Sequence, residues 1–522
     1  MIASEIFRFG MATFPIVLLV VTLMIFKLRV TLASFISLVA SMLIGTLCFG
    51  EKPIEIPLQM LKGVWDALGI FMVICPAMLI YQILSEAKMF YHIQKRVEHL
   101  IKDELLRVLF SGWAFACFLQ SVTGFGIPVA ICAPILVSFG FSPVISVIIS
   151  ILGHAWGGTF GTLAVAWDSL VIQSKMTDLA MITQTAINAS LMIWAYNLVC
   201  GFVIYALYKK HKGSRNINPQ EIFFVIVIST VQGGGQLLVA YFNPSVACFV
   251  SSALSIAVIF FLDFVSSKKQ HKTKKEEQKH TVPLFDIVMP YVILIILVVG
   301  LLLVGSVNSF LAQFKIGFKL PQTAAGIELS IYSPISIFTH SGTILLITSV
   351  ILYVWYLKKE YVKYSNLRHT IQKALKKSSQ SILPVMFLII MSKVMDGTGQ
   401  ITIMANVIAG FFKRTYPLVA PFVGIIGSFI CSSNMSSNIL FTGFQNNIAL
   451  KLHMDPTVIL AAQTAGGSIG NLLATSNIVL GLITTKASGQ ESNVLKFLFP
   501  IAFLVGILCG VLSLLLSQKG GY

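Results

Sequence analysis

Runs of about 20 apolar residues, free of charge or nearly so, recur along this chain from Met11 to Ser517. A helix of that length is about 30 Å long, which is the thickness of the hydrocarbon layer of a bilayer. In water, a dozen such surfaces would have no partner; in lipid, each satisfies its own backbone hydrogen bonds. Composition agrees: 56% of residues are hydrophobic and 11% charged, against roughly 45–50% and 25% in soluble domains. Mean hydropathy is +0.86. The chain therefore reads as an all-α polytopic membrane protein, and a soluble enzyme or nucleic-acid binder is excluded.

Crossings are expected at 11–27, 30–49, 67–85, 143–170, 185–208, 221–241, 244–265, 285–306, 336–357, 379–396, 456–484 and 497–517. Two further apolar stretches, 108–140 and 416–450, are too long for one span and carry small polar residues at their centres. Each reads as a re-entrant hairpin of two half-helices, a shape tolerated at membrane depth only where protein or a wet cavity surrounds it. The net charge of +17 comes from basic clusters between the apolar runs. With both hairpins entering and leaving on one side, 26 basic residues fall in one set of loops and ten in the other, with Lys393 inside a crossing. The positive-inside rule then puts both termini outside the plasma membrane. The first apolar run ends in Lys27-Leu28-Arg29 without a small-residue cleavage site, so it reads as a membrane helix rather than a signal peptide. The eight cysteines lie in apolar stretches without CxxC spacing and read as buried hydrophobes, not a metal site.

The chain also repeats itself. Gly153-His-Ala-Trp-Gly157 lies 313 residues before Gly466-Gly-Ser-Ile-Gly470, and Phe118-Leu-Gln-Ser121 lies 311 before Phe429-Ile-Cys-Ser432. The first unit, 1–213, holds the hairpin 108–140 and a broken helix at 143–170. Residues 214–282 supply two linking helices and a basic loop; the second unit, 283–522, holds the hairpin 416–450 and a broken helix at 456–484. Because the second unit starts on the opposite side, the expected copies are inverted, as in many secondary transporters.

Each hairpin carries a polar tip. The first is Ser121-Val-Thr-Gly-Phe-Gly-Ile-Pro128, with Thr123, Gly124 and Gly126 as candidate binding residues; the second is Cys431-Ser-Ser-Asn-Met-Ser-Ser-Asn438, with Ser433, Asn434, Ser436, Ser437 and Asn438. Half-helix N-termini offer N–H groups to an anion, and Ser and Asn oxygens offer ligands to a cation. Gly466, Gly467 and Asn471 in the second helix break complete the candidate substrate site, opposite Gly153, Gly157, Gly158 and Gly161 in the first. Close helix packing through small residues is the competing account. Few ionisable residues fall inside crossings, and those that do are candidates for coupling. They are His154 in the first break, and Lys393 with Asp396, three apart and expected to pair with each other. Asp168 is expected near the far end of a broken crossing and Glu328 outside the membrane. No HExxH, GxSxG, Walker or Rossmann pattern is present, so no catalytic residue, metal or cofactor is expected, and concentrative transport must draw on an ion gradient.

The core Gly124-Phe-Gly-Ile-Pro-Val-Ala-Ile131 and the tip Ser433-Asn-Met-Ser-Ser-Asn438 resemble the two signatures of the lactate permease family. Gly489-Gln-Glu-Ser492 and Ser341-Gly-Thr343 are similar to two shorter segments of it. The resemblance implies a scaffold and a mobile transport domain that move a small monocarboxylate with protons. Three departures stand near the inferred site. Asn434 replaces the family's usual Asp, Asn471 its Lys, and His154 with Trp156 its Asn and Pro. The expected partners are a small monocarboxylate, the lipid bilayer and, left open, a second copy of the chain as a homodimer; nucleic acid is not among them. The alternatives are a sodium-coupled carrier of another small organic anion or solute, and a channel or membrane sensor.

Overall fold

A computed structural model describes residues 2–50, 55–124, 126–214, 216–267, 282–298, 300–301, 304–317 and 335–519. Nearly all of these are helical, and the described strands are one short antiparallel pair, Lys315–Ile316 with Ile335–Ser336. Twelve helices among the described residues are long and apolar enough to cross a bilayer, or thirteen counting the bent pair Pro143–Gly158 and Gly161–Ser174, which kinks by 48°.

Several expected boundaries move. The crossing placed at 67–85 begins at Glu55 and runs to Glu86, and that placed at 379–396 begins at Leu367. Both helices extend into polar sequence because packing on neighbours, not hydropathy alone, sets helix ends. The stretch 285–306 forms two shorter helices, Leu284–Val298 and Gly305–Leu311. The basic loop at 268–279 and Glu328 lie outside the described residues.

Both hairpins are present as helix–tip–helix units, but their first arms are longer than half a span. Glu104–Val122, interrupted by a π-turn at Phe110–Ala114, is 19 residues; Tyr416–Cys431 is 16. At 1.5 Å per residue they reach about 24–28 Å. The returning arms are Ile127–Ser138 and Asn434–Lys451. Each hairpin is followed by a capped proline start: Ser142 accepts from Ile145 N before Pro143, and Asp455 accepts from Thr457 N before Pro456. A side-chain cap followed by proline is a strong helix start, since proline lacks an N–H that the first turn would leave unpaired.

The helices sort into two packing groups. Ile2–Met24, Val30–Phe49, Glu55–Glu86, Ser341–Lys358 and Leu367–Gly397 pack on one another, with Glu55–Glu86 against Leu367–Gly397 as the closest pair. The hairpins, the two broken helices, Leu179–His211 and Glu491–Lys519 form the other group, centred on Pro456–Gly470. The groups meet where Gln400–Phe412 lies on Asn434–Lys451 and Glu55–Glu86 lies on Gly161–Ser174.

Candidate functional site

The first tip turns on glycines. Gly124 and Gly126 have φ of +59° and +78°, backbone that a side chain resists. Pro128 then sits in the first turn of the returning helix, where its missing N–H costs nothing. The second tip turns at Ser432 (φ +54°), and the Ser433 hydroxyl caps the next helix by accepting from Ser436 N at 3.4 Å.

The helix breaks differ in kind. In the first, the α-helix ends at Ala155 and passes through a tight turn at Trp156–Gly158. Three consecutive non-glycine residues, Thr162, Leu163 and Ala164, then have φ between +49° and +66°. Trp167 N closes this reversal onto Thr159 O at 3.1 Å. In the second, Pro456–Gly470 passes through a turn at Asn471–Leu473 into Thr475–Thr484.

Tips and breaks meet around one cavity of about 70 Å³. Gly126 comes from the first tip and Ser433 and Asn434 from the second; His154 comes from the first break and Asn471 from the second. At roughly 15 Å³ for each enclosed water, the cavity has room for about five waters, the scale of a six-heavy-atom solute. Among the described residues, no Lys or Arg lines it. His154 is 1% exposed, and its Nδ1 lies 2.8 Å from Ser150 O. A carbonyl only accepts, so Nδ1 carries the proton and Nε2 keeps a free lone pair.

The other candidates take different places. The Thr123 hydroxyl donates to its own helix at Leu119 O, and Gly124 faces Thr162. The Ser437 hydroxyl donates to Gly424 O, inside its hairpin, and Ser436 contributes its backbone N–H to the cap. Asn438 Nδ2 donates to Ala166 O at 2.8 Å and Thr464 Oγ1 at 3.0 Å, pinning the first broken helix to the second. Gly466 lies against Pro421 O and Gly467 against Asn434 Oδ1, and both permit approaches that a Cβ would block. Asn471 also approaches Gly158, so the two breaks touch.

The expected Lys393–Asp396 pair does not form. Lys393 Nζ lies 3.1 Å from Asp66, which Lys62 also contacts at 2.8 Å; Asp396 lies 2.7 Å from Lys175. Three residues along a helix leaves two side chains on neighbouring but diverging lines, and each takes a partner off its own helix: Asp66 on Glu55–Glu86 for Lys393, and Lys175 just past the end of Gly161–Ser174 for Asp396. Lys62 and Asp66 fall just before the expected start at 67, inside the helix that begins at Glu55. Their signal was nevertheless in the sequence: Glu55, Gln59, Lys62 and Asp66 recur at helical spacing on one face, and all are buried.

Asp66 lines a second cavity of about 320 Å³ with Asp168 and His340, and Val165 borders both cavities. Gln120 and Asn477 also line the smaller one. Gln120 falls in the repeated segment Phe118–Ser121, whereas Asn477 has no pattern that marks it and becomes a site residue only through the fold.

A family model described as L-lactate permease matches residues 9–518. The L-lactate permease of Halalkalibacterium halodurans is 25% identical, over 97% of this chain and 96% of that protein. The glycolate permease GlcA of Escherichia coli K12 is 24% identical, over 97% and 94%. Among solved structures, the Alcanivorax borkumensis YdaH transporter aligns at a TM-score of 0.44 and 12% identity, over 87% of this chain and 85% of that one. With a family model spanning nearly its whole length, the chain belongs to the L-lactate permease family.

Proposed function

We propose that this protein is a secondary transporter of L-lactate or a related small 2-hydroxymonocarboxylate, working as a proton symporter in the plasma membrane with both termini outside. One observation carries the reading: both tips and both helix breaks contribute to a single polar cavity of about 70 Å³. The relatives named L-lactate permease and glycolate permease GlcA support that substrate class.

The carboxylate is held by the first-turn N–H groups of Asn434–Lys451, where the helix dipole favours negative charge and no cationic side chain is needed. The substrate's 2-hydroxyl meets the polar side chains of Asn471 and Asn477. His154, on the cavity wall with Nε2 available, takes the coupling proton. The group of hairpins and broken helices moves as a body, elevator-like, past the scaffold of Glu55–Glu86 and Leu367–Gly397. On the inverted relation expected from the sequence, a pseudo-two-fold axis in the membrane plane relates the two end states.

The test is uptake of labelled L-lactate into proteoliposomes under an imposed inward proton gradient, with glycolate and acetate as competitors. Accumulation that a protonophore collapses, with competition by glycolate, is expected. Equilibration without accumulation points to a channel, and accumulation that follows sodium instead overturns proton coupling.

A further inference from the structure

A cage of oxygens joins the two broken helices beside the cavity. Thr159 Oγ1, from the first break, lies 3.0 Å from Thr464 O, 3.0 Å from Thr464 Oγ1 and 2.8 Å from Ser468 Oγ, all on the second broken helix. The amide nitrogen of Asn434, from the second tip, caps this cluster from one side. It lies 3.2 Å from Thr159 Oγ1, 3.2 Å from Thr464 O, 3.3 Å from Ser468 Oγ and 3.5 Å from Thr464 Oγ1. Asn434 is 2% exposed.

The orientation of the amide follows from chemistry. Thr464 O is a carbonyl and can only accept, so the atom facing it must carry hydrogen. The nitrogen therefore points into the cage, and Asn434 Oδ1 is left buried without a hydrogen-bond partner, over Gly467. An orphaned buried acceptor is destabilising. The tip accepts that cost to keep a donor in the cage. The distances are those of hydrogen bonds; oxygens that grip a cation such as calcium approach to 2.3–2.6 Å.

We propose that the Asn434 amide is a built-in substitute for a bound proton: it permanently fills the donor position of this cage, so the second tip carries no coupling ion. An aspartate there would put an acceptor oxygen against Thr464 O, and only its protonated form would restore the bond. The asparagine holds the tip in the state that an acid reaches only after taking a proton. The two broken helices stay joined to the tip through every transport step, whatever the pH. The consequence for coupling rests on the transport reading above; the chemistry of the cage does not, and its test uses no substrate.

Titratable groups lie on several elements packed against the cavity or against Asn434–Lys451. They are His154 in the first break, Asp168 on Gly161–Ser174, Tyr416 and Cys431 on the hairpin's first arm, Lys393, Asp396 and the groups from Arg368 to Lys377 on Leu367–Gly397, and Lys451 at the end of the helix itself. Pro456–Gly470 and Gln400–Phe412 contribute none. All are shared by wild type and a residue-434 variant, so a difference between the two isolates the cage.

The experiment compares melting temperatures of full-length wild type, Asn434→Asp and Asn434→Leu between pH 5.5 and 8.5, in sodium and in choline. The aspartate variant is expected to melt several degrees below wild type at pH 8.5 and to close that gap as the pH falls. The sign follows from linkage: a group whose folded form requires the proton stabilises at low pH and loses that contribution as pH rises. The leucine variant, with no donor at any pH, should keep its deficit throughout. A pH-independent gap for Asn434→Asp, or none, overturns the proposal. So does rescue by sodium at pH 8.5, which makes the cage a sodium site. Should the aspartate variant fail to purify, size-exclusion profiles of unpurified detergent extracts at both pH values replace melting. A monodisperse peak at pH 5.5 that is lost at pH 8.5 supports the proposal; aggregation at both overturns it.

Discussion

Gly467 has no room for a methyl group. A Cβ there would lie 1.8 Å from Asn434 Oδ1, and the tip would have to lift off the second broken helix. Gly467→Ala is therefore expected to destabilise the protein by about 1–3 kcal/mol, the usual cost of overpacking, and to lose uptake. Gly410, in the exposed part of Gln400–Phe412, has nothing within 4 Å of a built Cβ. Gly410→Ala should instead stabilise by about 0.5–1 kcal/mol through helix propensity alone. Thermal melting of the two variants reads opposite signs; a harmless Gly467→Ala would show that the tip is loosely seated. Buried charge gives a second contrast at this scale. Asp66 lies between Lys62 and Lys393, all three nearly inaccessible. Asp66→Asn leaves two buried ammonium groups without it and is expected to cost about 3–5 kcal/mol. The Lys175–Asp396 pair is partly exposed, so Asp396→Asn should cost no more than about 1 kcal/mol. Equal losses in chemical-denaturant titrations would mean that burial is not what separates the two pairs. At this scale the sequence was legible where residue type is diagnostic, as at Gly467 and Asn434. It was not legible for partner choice: Lys393 and Asp396 look like a pair along one helix, and only the fold brings Asp66 and Lys175 to them.

Among the elements, the hairpins and breaks were readable because small polar residues inside apolar runs contradict an unbroken span. The form of the first break was not. Its glycines at 153–161 drew attention, yet the left-handed backbone falls on Thr162, Leu163 and Ala164. Propensity argues against such a run, at about 1–2 kcal/mol for each residue. The run persists because Trp167 N is held by Thr159 O and Asn438 holds Ala166 O. Ala164→Gly is thus expected to be neutral or to stabilise by about 1 kcal/mol, because φ of +66° costs glycine nothing. The same change at Ala166, in ordinary helix beyond the reversal, should cost about 1 kcal/mol. If Ala164→Gly melts as early as Ala166→Gly, the reversal is not a strained feature of the folded protein. The Asn438 pin belongs to the same element. Asn438→Leu removes two hydrogen bonds and leaves a buried carbonyl on Ala166, so insertion should survive while uptake is lost.

For the whole molecule, electrostatics decides what a carrier of this substrate must do. A small 2-hydroxy acid, with a pKa near the ~3.5 of a chain-terminal carboxyl, crosses as an anion at neutral pH. Moving one anion into a negative-inside cell costs about 2.3 kcal/mol per 100 mV, so at least one cation must accompany it for concentration to occur. On the proposed proton symport, with Asn434 supplying a permanent donor at the second tip, the proton needs another seat. Asp396 is engaged by Lys175, and Asp66 is flanked by two lysines. His154 lines the cavity with one ring nitrogen committed to Ser150 O and the other available. His154→Gln is accordingly expected to keep substrate counterflow, an exchange that needs no net proton movement, within a few-fold of wild type. It should lose accumulation driven by an imposed pH gradient. Counterflow and gradient-driven uptake measured in the same proteoliposomes separate the two. A variant that still accumulates to the wild-type ratio, with the same pH dependence, would move the proton to Asp168, which lines the neighbouring cavity.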